Sequence, residues 1–192
     1  MTLIDMHLHL QPRSSCSIMT TEQLYNNLSP KFHAICITDH HVLEPIQRMP
    51  FQEIAVFFGV EYTTNEGDIL AYGIHELPSR KLSASEFIEY VHQQNGVAVC
   101  AHPFSGRHFA LGDEVYEYAF DAIEVNGAIH KHENDLARKA AKIMDLPMIG
   151  GSDAHSVNQL NTVGTLFKDL IRSMKDIVKC IKTKRCKSVS IQ

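Results

Sequence analysis

The sequence predicts an α/β fold, a parallel sheet or barrel in one domain, on three observations. Short apolar runs alternate with longer segments of helical pattern, and about seven of the runs have strand character. Histidines and carboxylates stand at the ends of most of them.

The first run, Leu3 and Ile4, leads into DMHLH, and AICIT at 34–38 leads into DHH. IAVFFGV at 54–60 ends in GVEY, ILAYGI at 69–74 ends in IHE, and VAVCA at 97–101 ends in AHP. AIEV at 122–125 and LPMIG at 146–150 complete the set, the last followed by GSDAH. Between them, Ser83 and Glu86 make a capping-box pattern that opens the helix SEFIEYVHQQN, with Gly96 as its stop. ENDLARKAAKIMD is rich in helix formers and sets Leu136, Ala140 and Ile143 on one side. SMKDIVKCIK is a last helix, and the basic stretch at 181–192 reads as a solvated tail. Met6, Met19, Met49, Met144 and Met148 read as core or edge residues.

At 192 residues the chain fits a single domain, 1–192, able to bury a substantial core. Its 44% apolar and 21% charged content is that of a globular protein rather than a disordered one. A net charge of -4 argues against a general nucleic-acid coat, although a local basic pocket for a small anion remains compatible with it. MTLIDMHLHL has no basic segment ahead of an apolar core, so no secretory signal is expected. The apolar runs are too short to span a bilayer, so no membrane association is expected. The five cysteines are odd in number and lack CxxC spacing, which points to a reducing, cytoplasmic setting.

The placement of the histidines carries the chemistry. His7 and His9 follow the first run, Asp39 and His40 the second, and Glu61 the third. His75 ends the fourth, His102 the fifth, and Asp153 with His155 follows the last. In a parallel barrel all C-terminal strand ends share one face, so residues far apart in sequence would converge there. Any one of these fragments reads as a solvated or hydrogen-bonded residue. Six strand ends together are costly to bury unless a cation neutralises them. The mixed nitrogen and oxygen donors suit Zn, Mn or Fe as divalent ions better than Ca²⁺ or an iron–sulfur cluster.

DMHLH, ITDHH, GVEY, YGIHE, AHP and GGSDAH, in that order, resemble the motifs of the polymerase and histidinol phosphatase (PHP) superfamily. The resemblance covers about residues 3 to 165 and implies a metal-dependent phosphoesterase on a distorted (β/α)7 TIM-like barrel. It also implies a first ion held by His7, His9, Glu61 and Asp153, and a second held by Glu61, His75 and His102. A third would take His40 and His155. Where relatives supply a further His or Asp after HxH, this chain has Ser14, Ser15 and Cys16, of which Cys16 could serve as a thiolate. Asp5 and Asp39 are read as residues that orient ligands.

Two or three divalent ions would activate a water for attack on a phosphate ester, with His155 or Asp153 moving protons. Arg13 and Arg107, close to metal motifs, are candidates to bind phosphate oxygens, against a structural ion pair as the alternative. Glu124 and Asn126 are read as residues that line the pocket or stand behind the ligands, able to position a substrate hydroxyl. His108, His130 and His132 are loop residues within reach of a substrate, and His33 and His92 are structural. The expected substrate is a small phosphorylated metabolite, a nucleotide or a short oligonucleotide. Two rivals are a metal-dependent amidohydrolase of C–N or carboxylic ester bonds and a non-catalytic metallated scaffold.

Overall fold

Residues 1–47 and 54–191 are described by a computed structural model in which ten strands make two mixed five-stranded sheets. The first sheet has the order β10-β9-β1-β2-β3, built from β1 (Thr2–Asp5), β2 (Ala34–Ile37), β3 (Ala55–Phe58), β9 (Val163–Phe167) and β10 (Cys186–Ser190). The second has the order β4-β5-β6-β7-β8, from β4 (Val60–Thr63), β5 (Asp68–Tyr72), β6 (Val97–Cys100), β7 (Ala122–Asn126) and β8 (Met148–Gly151).

The TIM-like barrel expected from the sequence is not formed among the described residues. A barrel needs a hydrogen-bonded ladder between every pair of neighbouring strands. Here β5 runs antiparallel to β4 and β6, and β9 antiparallel to β1 and β10. Among the described residues the β-bridges between the two sheets are isolated ones, Leu8 to Ala154 and His40 to Glu61. Elsewhere they meet by packing and by side-chain hydrogen bonds. A Cβ on Gly150 of β8 would stand 2.5 Å from the Gly164 carbonyl oxygen of β9, and Thr165 Oγ1 accepts from the Gly150 amide at 2.7 Å.

Among the described residues, four α-helices lie outside the sheets: α1 (Thr21–Asn27), α2 (Ala84–Gln93), α3 (Lys131–Ile143) and α4 (Met174–Lys182). The Ser83 hydroxyl accepts from the Glu86 amide, and the Glu86 carboxylate accepts from the Ser83 amide, as the capping pattern requires. The left-handed residue after α2 is Asn95 rather than Gly96. Helix α3 turns Ala137, Ala140 and Ala141 inward, and the small side chains let it approach the sheet closely. Leu136 and Ile143, expected on the packed side, are exposed.

The stretch read as a basic tail contains β10. Cys186 and Ile191 are buried against the sheet, while Lys184 and Lys187 stay in solvent. Met6 and Met19 are fully buried, Met144 and Met148 pack on the core edge, and Met49 lies outside the described residues. No helix among the described residues is long and apolar enough to cross a membrane.

Candidate metal centre

Strands β1, β2, β4, β6, β7 and β8 point their C-terminal ends to the same side, and a buried polar cluster sits there. His7 and His9, two residues apart in extended backbone, project together. Their Nε2 atoms are 3.0 Å apart. Glu61 Oε2 lies 3.3 Å from His7 Nε2 and 3.1 Å from His9 Nε2, and Asp153 Oδ1 lies 3.4 and 3.3 Å from the same two atoms. Four ligands at tetrahedral metal–ligand distances stand roughly 3.3 Å apart, so this donor set fits a divalent ion.

The other oxygen of Glu61 faces a different neighbour. Oε1 is 2.9 Å from His102 Nε2, while Oε2 also lies 3.1 Å from His40 Nε2. Glu61 therefore touches donors on both sides of the pocket. His155 and His108 approach Asp153 from the rim, at 3.6 Å to Oδ1 and 3.8 Å to Oδ2.

Outer residues fix these rings. Glu124 Oε1 is 2.8 Å from His7 Nδ1, while its Oε2 accepts from the His102 amide and from Asn126 Nδ2. Asn126 Nδ2 also donates to Asp153. Of the two roles read for them, Glu124 and Asn126 thus take the one behind the ligands, holding them in place. Asp5 accepts from the Ser152 and His7 amides, joining β1 to the loop after β8. Asp39 accepts from the Leu10 amide, Ser14 Oγ and Arg13 Nε, bracing the loop after His9. Such contacts set ring orientation and donor basicity.

Close backbone approach is part of the construction. A Cβ on Gly151 would stand 2.3 Å from His7 Cβ, so only glycine lets β8 pass the first histidine. His102 and Asp153 are held at φ 28° and 52°, in the left-handed region that non-glycine residues rarely adopt.

Burial pushes imidazoles down and carboxylates up, and it prevails at His40, His155 and Asp68, while at His7, His9, His102, Glu61 and Asp153 the mutual charges and hydrogen bonds outweigh it. His102 is lifted to about 9 by the Glu61 hydrogen bond and charge, and His7 is raised well above its ordinary value by Glu124, Asp153 and Glu61. Glu61 and Asp153 are held well below the usual carboxylate range, chiefly by the His7 charge. In the absence of an ion, the pocket must recruit protons to balance its carboxylates.

His75 is the residue the structure leaves out. Its side chain is exposed and lines an apolar cleft with Leu43, Phe57, Phe58 and Met174. The reason is strand direction. Because β5 runs antiparallel to its neighbours, its C-terminal end points away from the cluster and its first residue, Asp68, points toward it. Asp68 is buried beside Glu61 and His102, with Oδ2 4.0 Å from His102 Nε2 and Oδ1 lacking a hydrogen-bond partner. Burial, with the Glu61 charge, raises its pKa to about 6. We expect Asp68→Ala to lose metal, while His75→Ala keeps wild-type metal content, as elemental analysis of the two purified variants would show.

The remaining candidates divide as follows. Arg13 pairs with Asp39 at 2.6 Å, so its structural role is the visible one. Arg107 is exposed on the loop after His102, with Nη2 donating to the Ala128 carbonyl at 2.6 Å. His130 precedes α3 and His132 lies on it, both exposed. His33 accepts from the Leu3 amide, and His92 pairs with Asp121. Cys16 joins His9, His40 and His155 in one donor group. His108 stacks on His102 with ring centroids 4.8 Å apart, a contact that nothing in its sequence position signals.

Comparisons with known proteins agree with this picture. Residues 131–186 match the PHP_C family, described as PHP-associated. Over 101 residues, 50% of this chain, the sequence is 32% identical to the uncharacterized protein MJ1587 of Methanocaldococcus jannaschii, and the match spans 59% of that protein's length. The fold is similar to PsfC from Pseudomonas syringae PB-5123, with a TM-score of 0.75 at 19% identity, covering 98% of this chain and 91% of PsfC. It also resembles a provisionally named metal-dependent phosphoesterase from Bifidobacterium adolescentis, with TM-score 0.62, 16% identity and coverage of 93% and 96%. An amidohydrolase from Chromobacterium violaceum has a TM-score of 0.65 at 13% identity, with coverage of 93% and 96%. At these identities the structural likeness concerns the fold alone. The comparisons therefore show a PHP-associated segment at residues 131–186 and, across nearly the whole chain, the fold of these solved structures.

Proposed function

We propose that this protein is a metal-dependent hydrolase that cleaves phosphate esters of a small phosphorylated metabolite or nucleotide. The observation that carries the reading is Glu61, one buried carboxylate within 3.3 Å of His7, His9, His40 and His102. His7, His9, Glu61 and Asp153 would hold one ion, and Glu61, Asp68 and His102 another. His40 and His155 supply donors for a third. Such ions, when bound, supply Lewis acidity and lower the pKa of a coordinated water.

The chain's own residues do the rest. Glu124 and Asn126 keep His7, His102 and Asp153 in fixed orientation. His155 donates from Nδ1 to the Asp153 carbonyl, which leaves Nε2 with its lone pair. Burial lowers its pKa and favours the neutral ring, whose Nε2 is suited either to hold the third ion or, where that ion is not bound, to carry a proton between water and the leaving oxygen. Asp153, held ionised, is a ligand first and a proton acceptor second. Arg107, exposed on the loop after His102, has a planar fork of donors of which Nη2 alone is engaged, with the Ala128 carbonyl, and would hold phosphate oxygens. Arg13 acts through Asp39 and the loop after His9.

Among the described residues the lysine–carboxylate pairs are Lys131–Asp135 and Lys184–Asp145, neither at the cluster, which weighs against the amidohydrolase reading, whose metals are often bridged by a modified lysine. A panel of phosphate mono- and diesters run beside amide and lactone panels, each with added Mn²⁺ or Zn²⁺, tests the proposal. Phosphate release from at least one ester is the expected result. Turnover confined to amides or lactones would reject it, and metal binding without any turnover would favour a scaffold.

A further inference from the structure

The two ends of the pocket differ in donor chemistry. One end gathers Cys16, His40 and His155 beside His9, with donor atoms within 4.8 Å of one another. The other gathers Glu61, Asp68 and His102 within the same limit. His9 Nε2 is already turned toward His7, Glu61 and Asp153, so the first end is left with one sulfur and two imidazole donors.

We propose that Cys16 is a thiolate ligand, and that the pocket is graded to hold two chemically unlike ions. The sulfur end would take a thiophilic ion such as Zn²⁺, and the carboxylate end a harder ion such as Mn²⁺ or Mg²⁺. This rests on reading the cluster as a metal centre and adds which kind of ion each end selects. Thiolate and imidazole donors favour zinc-like ions, whereas carboxylates favour Mg²⁺ and Mn²⁺. Three protein donors with an open position is also the pattern of a zinc site that admits water or substrate.

The loop is built to hold the sulfur there. Ser14 Oγ donates to Asp39 and accepts from the His40 amide. On the other side of the cysteine, Ser17 Oγ lies within hydrogen-bonding distance of the carbonyls of both His9 and His155, and the Ile18 amide donates to the His155 carbonyl. Both flanks of Cys16 are therefore tied to the backbones of the histidines it accompanies. Cys16 is an exposed residue, while Cys36, Cys100, Cys180 and Cys186 are buried in the core. On binding, a sulfur–metal bond forms, the S–H proton passes to solvent, and neither sulfur nor metal changes oxidation state.

Exposure makes the test selective. Iodoacetamide applied to the folded protein should alkylate Cys16 alone, read by peptide mass. Zn²⁺ should slow that alkylation at least about tenfold, and Mg²⁺ should not. Loading Co²⁺ should give a near-ultraviolet sulfur-to-metal charge-transfer absorption that disappears in Cys16→Ser. Equal alkylation with and without Zn²⁺, or the same absorption in Cys16→Ser, would overturn the inference. Protection of Cys16 without any ester turnover would support it while rejecting the phosphoesterase reading. Ester turnover with an unprotected Cys16 would reject this inference alone.

Discussion

Replacing Glu61 with alanine is expected to lower kcat/KM by about 10³-fold or more, some 4 kcal/mol of transition-state stabilisation. The size follows from position. Its two oxygens reach His7, His9 and His40 on one side and His102 on the other, so truncation removes a donor from both sides of the pocket. It also leaves those imidazoles, already held close together, without the charge that offsets their burial. Metal content should fall with activity, and circular dichroism should show an intact fold. A fully active Glu61→Ala protein would contradict a centre bridged by this residue.

Stripping the ions with a chelator is expected to abolish turnover and lower Tm by about 10 °C for a chain of this size. An ion present at 1,000 times its Kd contributes about 4 kcal/mol of stability. Without it, Glu61, Asp68, Asp153 and Glu124 share a buried pocket that protons on the histidines must balance. The sign of the pH dependence follows. Although burial opposes it, the Glu61 contact raises His102 to about 9, so its stabilising charge in the stripped protein is complete below its unfolded pKa and fades as pH rises through 9. The Tm gap between loaded and stripped protein should therefore widen from pH 7 to pH 9, measured by calorimetry. A constant gap would mean that protonated His102 is not what replaces the ion.

Much of this site was legible in the sequence because ligand-type residues followed apolar runs, and the C-terminal ends of β1, β2, β4, β6 and β8 do converge. What the alternation of strands and helices does not carry is strand direction, and that is where the reading departed from the structure. His75 was chosen because it ends its run, but β5 is reversed, and Asp68 at the beginning of the same run takes the place near Glu61. The signal was present. Only Thr64, Asn65, Glu66 and Gly67 separate β4 from β5, too few for a parallel crossover and ample for a hairpin.

The barrel failed for the same reason, since a barrel inferred from alternation assumes every strand is parallel. The last two strands were hidden differently. VGTLF at 163–167 is short, and β10 alternates buried and solvent positions in a lysine-rich stretch, so it read as a tail. Helix α3 was placed correctly but turned wrongly, because its packed face is alanine and its larger apolar residues face out. Contacts made by loops, such as His108 on His102, leave no periodic trace at all.

The most direct measurement is a count of divalent ions in the purified wild-type protein after remetallation, by elemental analysis against protein concentration. The account predicts about two or more per folded chain. Fewer than one, in a protein whose fold is intact, would mean that these buried imidazoles and carboxylates are balanced by protons and hydrogen bonds instead of by metal.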